Sequence, residues 1–194
     1  TLKQLPYPWL DFAWQRWSTT GGRRPHAVLL CGPRQTGVED FARFLAEALL
    51  CDEPSESERP CGTCSACRWL GDGNHPDFRL VVPEALQQEA MPSGAGDSAQ
   101  QTDQDAVDAT AVADKSRRAP SKVIKIEQIR RLDTFFGVGT HRGGSRVVLL
   151  YPADTLTNDA ANALLKTLEE PPPNTYFILA TARPSDVLPT IRSR

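Results

Sequence analysis

Hydrophobic positions along the chain follow two alternating patterns. Short unbroken apolar runs occur at 26–31 (HAVLLC), 78–83 (FRLVVP), 146–151 (RVVLLY) and 176–180 (YFILA). Runs of that length, rich in Val, Ile and Leu, predict strands buried on both faces, as in a parallel sheet. Between them, apolar residues recur at helical spacing. Trp9, Phe12, Ala13 and Trp17 predict an amphipathic helix over 8–18, ended by Gly21 and Gly22, with its tryptophans packed inward. Phe41, Phe44, Leu45, Ala48 and Leu49 predict a helix over 38–50. Ile126, Ile129, Leu132 and Phe136 predict one over 127–136, after a short extended stretch at 123–126. Ala161, Leu164, Leu165 and Leu168 predict one over 157–170, stopped by three prolines at 171–173. Strands alternating with helices predict an α/β domain, a parallel sheet flanked by helices.

Two stretches break the alternation. Residues 51–75 hold a cluster of cysteines and read as an inserted module. Residues 84–114 carry seven acids and no Lys or Arg, and are rich in Gln, Ala, Ser and Gly without periodicity. The sign then reverses, with seven bases against Glu127 over 115–131. The span 84–121 is therefore expected to be a polar, disordered insertion.

Composition narrows the function classes. The chain has 194 residues, a net charge of -2 and a pI near 5.9. That balance argues against a surface that wraps nucleic acid unaided. No apolar run approaches the roughly 20 residues of a membrane span, and the N-terminus TLKQLPYPWL carries no apolar signal region. The expected compartment is the cytoplasm. The first residue is Thr1 and the last two are Ser193 and Arg194, from which a fragment of a longer protein is expected.

Four of the five cysteines, Cys51, Cys61, Cys64 and Cys67, are spaced C-x9-C-x2-C-x2-C. The C-x2-C steps suit a tetrahedral metal better than disulfides, and four thiolates form a closed structural site. One structural zinc is expected, with His75 left as a loop residue. Cys31, alone at the end of an apolar run, is expected to be a buried thiol.

The turn after the first strand, Gly32-Pro33-Arg34-Gln35-Thr36-Gly37, has the frame of a phosphate-binding loop. Such a loop continues with Lys, which neutralises phosphate, and Ser or Thr, which holds Mg²⁺. Val38 and Glu39 stand there instead. An acidic pair closing a second strand would hold the metal and position the attacking water. Tyr151 and Pro152 occupy those positions, with Asp154 further on. Two independent losses predict that the chain neither binds nor hydrolyses ATP.

RRPHAVLLCGP, the four-cysteine module after the following helix, NALLKTLEEPP at 162–172 and the final SR after FILATARP together resemble one family. It is the delta-prime family of bacterial DNA polymerase III clamp-loader subunits, of the AAA+ class. The resemblance covers nearly the whole chain outside the 84–121 insertion. It implies a P-loop NTPase-like domain over 1–194, with lid and collar domains beyond it. It also implies a non-hydrolysing subunit that helps load the sliding clamp onto primed DNA. Its partners would be the motor subunits (gamma/tau) and the delta subunit, in a nucleoid-associated replisome. By the same resemblance, Ser193 and Arg194 are the remnant of a serine-arginine-cysteine motif. Arg194 would serve as an arginine finger for the neighbouring subunit's ATP, with Ser193 in support.

Two other functions compete. An active clamp-loader ATPase conflicts with Val38, Glu39, Tyr151 and Pro152. A zinc-dependent nucleic-acid-binding module conflicts with the charge of 51–75, where Arg59 and Arg68 face five acids.

Overall fold

The computed structural model describes residues 4–19, 24–90, 119–141 and 143–193. Its centre is a sheet of four parallel strands: β1 (Ala27–Cys31), β2 (Phe78–Val81), β3 (Arg146–Leu150) and β4 (Thr175–Thr181), in the order β1-β4-β3-β2. Every residue of β3 is buried. Side chains alternate across a strand, so Val147 and Leu149 face one layer while Val148 and Leu150 face the other. Ile178 and Ala180 of β4 join the first set, and Phe177 and Leu179 the second. Both faces being covered is why these strands read as unbroken apolar runs rather than as alternation.

One face is covered by α1 (Asp11–Ser18) and α2 (Val38–Leu50), whose Trp17, Phe41, Leu45 and Leu49 form that core. The other is covered by α5 (Ile126–Gly137) and α6 (Asn158–Glu169), through Ile129, Leu132, Phe135, Leu164 and Leu168. Burying each such side chain contributes roughly 1.5–3 kcal/mol. Thr157 caps α6 by accepting the Ala160 N–H at 3.3 Å, and Pro171 to Pro173 follow its end. α3 (Ser65–Gly71), α4 (Glu84–Ala90) and α7 (Pro189–Arg192) are short.

Several expectations are corrected. The helix expected over 8–18 begins with a 3-10 turn at Pro8–Leu10, and only Trp17 on it is buried. Trp9, in that turn, and Phe12, in α1, are 62% and 75% exposed. The expected stop at Gly21 and Gly22 lies outside the described residues. β1 is an edge strand, so its residues are half-buried and Cys31, at its tip, is exposed rather than buried. In α5 it is Phe135 that is buried, with Phe136 half-buried beside it.

Residues 84–90 are helical where an irregular segment is expected. Glu84 accepts the Ser121 N–H at 3.0 Å and pairs with Lys125 at 3.1 Å, while Ala85 N–H donates to Ser121 O at 3.0 Å. These bonds tie α4 to the chain returning at Ser121. Residues 91–118 of the expected insertion lie outside the described ones.

Candidate functional site

In a parallel sheet all strands end on the same edge, and the turns there collect residues far apart in sequence. β1 leads into the turn Gly32 to Gly37, which enters α2. Gly37 has φ +81°, a left-handed conformation that side chains with a Cβ rarely adopt. A Cβ added at Gly32 would meet Val38 Cγ2 at 2.6 Å, so both glycines are required by the turn's own geometry.

The turn's polar groups are spent locally. The Thr36 hydroxyl donates to Pro33 O at 2.7 Å. Glu39, in the first turn of α2, pairs with Arg43 at 3.1 Å, and Arg34 is exposed. The N-terminal segment lies over the turn: the Trp9 indole N–H donates to Thr36 O at 3.0 Å, and Tyr7 stacks on Trp9 with ring centroids 4.7 Å apart. The Tyr7 ring is so close to Gly37 that a Cβ there would meet it at 2.3 Å. The Asp40 carboxylate, hydrogen-bonded to the Tyr7 hydroxyl, holds that phenol above its ordinary value.

Tyr151 reaches this edge from the end of β3. With Arg34, Val38, Glu39 and Asp40 it lines a cavity of about 150 Å³. Burial, then the charges of Glu39 and Asp154, push its phenol up. Two acids, Glu39 and Asp40, line this cavity against one base, Arg34. Asp154 is held elsewhere: it accepts the Thr181 hydroxyl at 2.6 Å and two N–H groups of Arg183 at 2.6 and 3.0 Å. Sequence reasoning missed this use of Arg183, because the pair joins two turns that only the β3–β4 pairing brings together.

The four cysteines meet at a second place. Cys51 follows α2, Cys64 is the N-cap of α3, and Cys67 lies in its first turn. Their sulfurs and that of Cys61 all lie within 4.8 Å of one another, with Cys51 Sγ and Cys64 Sγ 3.9 Å apart. Sulfurs at about 2.3 Å from a tetrahedral zinc would stand about 3.8 Å apart. Disulfides are absent among them. Backbone N–H groups of Cys61, Cys64 and Cys67 donate to the sulfurs of Cys51, Cys61 and Cys64, each at 3.4 Å. Those donors favour thiolate, and N–H groups at Thr63 and Cys64 hold Cys61 down at about 6. Burial pushes Cys51 and Cys67 up. His75 stands apart from the cluster: its Nδ1 accepts the Asp77 N–H at 3.1 Å and its ring meets Trp69 edge-on. An Arg24–Glu56 pair at 3.0 Å ties the cysteine module to the approach to β1.

Ser193 caps α7, its hydroxyl donating to Thr190 O at 3.0 Å, and it is exposed. Arg194 lies outside the described residues. Among the described residues, no helix is long and apolar enough to cross a membrane.

A solved structure of a DNA polymerase III gamma subunit-related protein from Thermotoga maritima matches with a TM-score of 0.54 at 19% identity, over 94% of this chain and 43% of that one. This likeness is one of fold alone, a parallel sheet flanked by helices. The delta' subunit of DNA polymerase III from Pseudomonas aeruginosa is 36% identical over 97% of this chain and 46% of its own length. That of Escherichia coli is 34% identical over the same shares. A gamma/tau subunit from Mycobacterium bovis is 34% identical over 89% of this chain and 24% of its own length. The chain thus spans about half the length of the delta' relatives it matches. The model of the family described as "DNA polymerase III, delta subunit" matches residues 14–194, and the chain belongs to that family.

Proposed function

We propose that the chain is the nucleotide-fold part of a non-hydrolysing clamp-loader subunit, a delta' protein. In this reading it is an accessory to DNA polymerase III in the bacterial cytoplasm and has no activity of its own. Gamma/tau motor subunits and a delta subunit would be its neighbours, and the sliding clamp and primed DNA would be reached through the assembly. The observation that carries the reading is the phosphate turn. It keeps its glycine frame, but Val38 and Glu39 replace the residues that neutralise phosphate and hold metal. Tyr7 and Trp9 lie on the turn, and the nearest strand-end carboxylate, Asp154, is bound to Arg183. A turn so built serves as a rigid strand-to-helix joint.

In the same reading Cys51, Cys61, Cys64 and Cys67 hold one zinc. Four thiolates leave no open position for water, so the metal supplies cross-linking alone. It clasps the end of α2 to α3. Arg194 is assigned the role of a finger acting in trans. A guanidinium placed at a neighbour's transferred phosphoryl group stabilises charge developing there, typically by about 10³–10⁵ in rate. Lys would serve less well, because the planar fork of Arg bridges two oxygens.

The test uses full-length protein assembled with its motor subunits. Arg194→Ala is expected to leave assembly and zinc content unchanged while lowering ATP hydrolysis and clamp loading. Wild-type hydrolysis and loading by that complex would remove the finger from the account. The likeness to gamma/tau supports a second reading, an active motor subunit, which a micromolar affinity for Mg·ATP would favour.

A further inference from the structure

At the other edge of the sheet, where strands begin, a cavity of about 210 Å³ opens between β2, β3 and the end of α5. It is lined by Arg79, Arg131, Arg146 and His141, and by the aromatic ring of Phe135. Asp77 is the one carboxylate among the described lining residues; it is 3% exposed and its Oδ1 accepts the His141 N–H at 3.1 Å.

The arginines are arranged in a way that their own folding role leaves incomplete. Arg146 is 4% exposed. One terminal nitrogen donates to Phe136 O at 3.4 Å and the other to Val138 O, which caps the end of α5. Its Nε is buried without a partner. A buried donor left unmade costs about 1–3 kcal/mol. The Arg146 and Arg79 guanidiniums also lie 4.9 and 4.5 Å from the same Phe135 ring, two like charges on one side chain. Arg24, Arg43 and Arg183 each have a carboxylate within 3.1 Å. Among the described residues, Arg79, Arg131 and Arg146 have no such ion pair.

We propose that this cavity is an anion site that takes a phosphate group. Arg79 and Arg131 bring exposed guanidiniums to a cavity already lined by the buried Arg146, a local charge that suits a tetrahedral oxyanion carrying two charges. The cavity has room for such a group, and Phe135 keeps the two facing guanidiniums in place by cation–π contact. The phosphate can be free, as inorganic phosphate or pyrophosphate, or can terminate a nucleic acid strand. This site is independent of the phosphate turn, which lies at the opposite edge, and of the clamp-loader reading.

The experiment follows the Arg146 Nε–H resonance by NMR, and heat by titration, in the intact chain. The probes are inorganic phosphate, pyrophosphate, and an oligonucleotide with either a 5′-phosphate or a 5′-hydroxyl end. Arg79→Gln and Arg131→Gln are the variants, since both side chains are exposed and their loss should spare the fold. A saturable shift of the Arg146 signal is expected, with affinity weakened about tenfold by each variant, the size of one charge-assisted hydrogen bond. Preference for the 5′-phosphate end would assign the nucleic acid source, and equal response to both ends with phosphate binding would assign the free anion. Absence of saturable binding by any probe, or binding that neither variant weakens, would overturn the proposal.

Discussion

Arg183 donates to Asp154 Oδ2 from both Nη2 and Nε, at 2.6 and 3.0 Å, and the Asp154 side chain beneath it is 3% exposed. Asp154 is the carboxylate nearest to where a metal-binding acid would close β3. Its engagement joins the turns after β3 and β4. Arg183→Ala strips a buried carboxylate of its cation but leaves it the Thr181 hydroxyl. A modest loss of stability is expected, kept small because Arg183 is half exposed. Denaturant unfolding measures it as a lowered midpoint, and an unchanged midpoint would show that the pair does not hold the edge.

The fit of Tyr7 against Gly37 separates two costs. Gly37→Ala forces a side chain into a left-handed conformation, roughly 1–2 kcal/mol, and also drives a methyl into the Tyr7 ring. Combined with Tyr7→Ala, the second cost disappears and the first remains. The double-mutant cycle is therefore expected to show a favourable coupling between the two substitutions. Strict additivity would mean that Tyr7 does not rest on the turn in solution.

Metal content tests the cysteine cluster. Protein purified without added zinc is expected to hold about one equivalent. Because burial holds Cys51 and Cys67 above the ordinary thiol value, metal uptake near neutral pH releases protons. Chelation should leave the sheet intact and loosen the module first, read by amide exchange at Cys61, Cys64 and Cys67. Four freely titrating thiols and less than about a tenth of an equivalent of metal would contradict the assignment.

Much of this was legible in the sequence. The four apolar runs became the four strands, because both faces of each central strand are covered and composition alone marks such strands. The C-x2-C spacing pointed to the cysteine cluster, because a tight turn places i and i+3 sulfurs on one side. The phosphate turn was recognisable from its glycines, and its losses from Val38 and Glu39. What was not legible depends on pairing across the fold. Nothing in the pattern of 8–18 says that Trp9 would leave the core to hydrogen-bond Thr36. Cys31 is exposed because β1 lies at the sheet's edge, a property of strand order. α4 lacks a periodic apolar face, and its start is fixed by Ser121, 37 residues on.

That fixture is pH-sensitive. The Ser121 N–H first, and then Lys125, hold the Glu84 carboxyl below its ordinary value. A depressed carboxyl contributes stability that is fully present above the ordinary carboxylate range and is lost as pH falls through the lowered value. Amide exchange at Ala85 and Ser121, corrected for intrinsic rates, should therefore gain protection as pH rises from the lowered value through the ordinary carboxylate range. In Glu84→Gln that gain should be absent. An identical pH profile in the variant would place the titrating group elsewhere.

The central claim is that this chain keeps a nucleotide fold without a nucleotide site. Isothermal titration of the chain with Mg·ATP tests it most directly. The account predicts no saturable heat at submillimolar nucleotide, since the turn offers amide dipoles but neither the Lys nor the hydroxyl of a phosphate loop, Val38 and Glu39 standing in their places. A micromolar dissociation constant would contradict it.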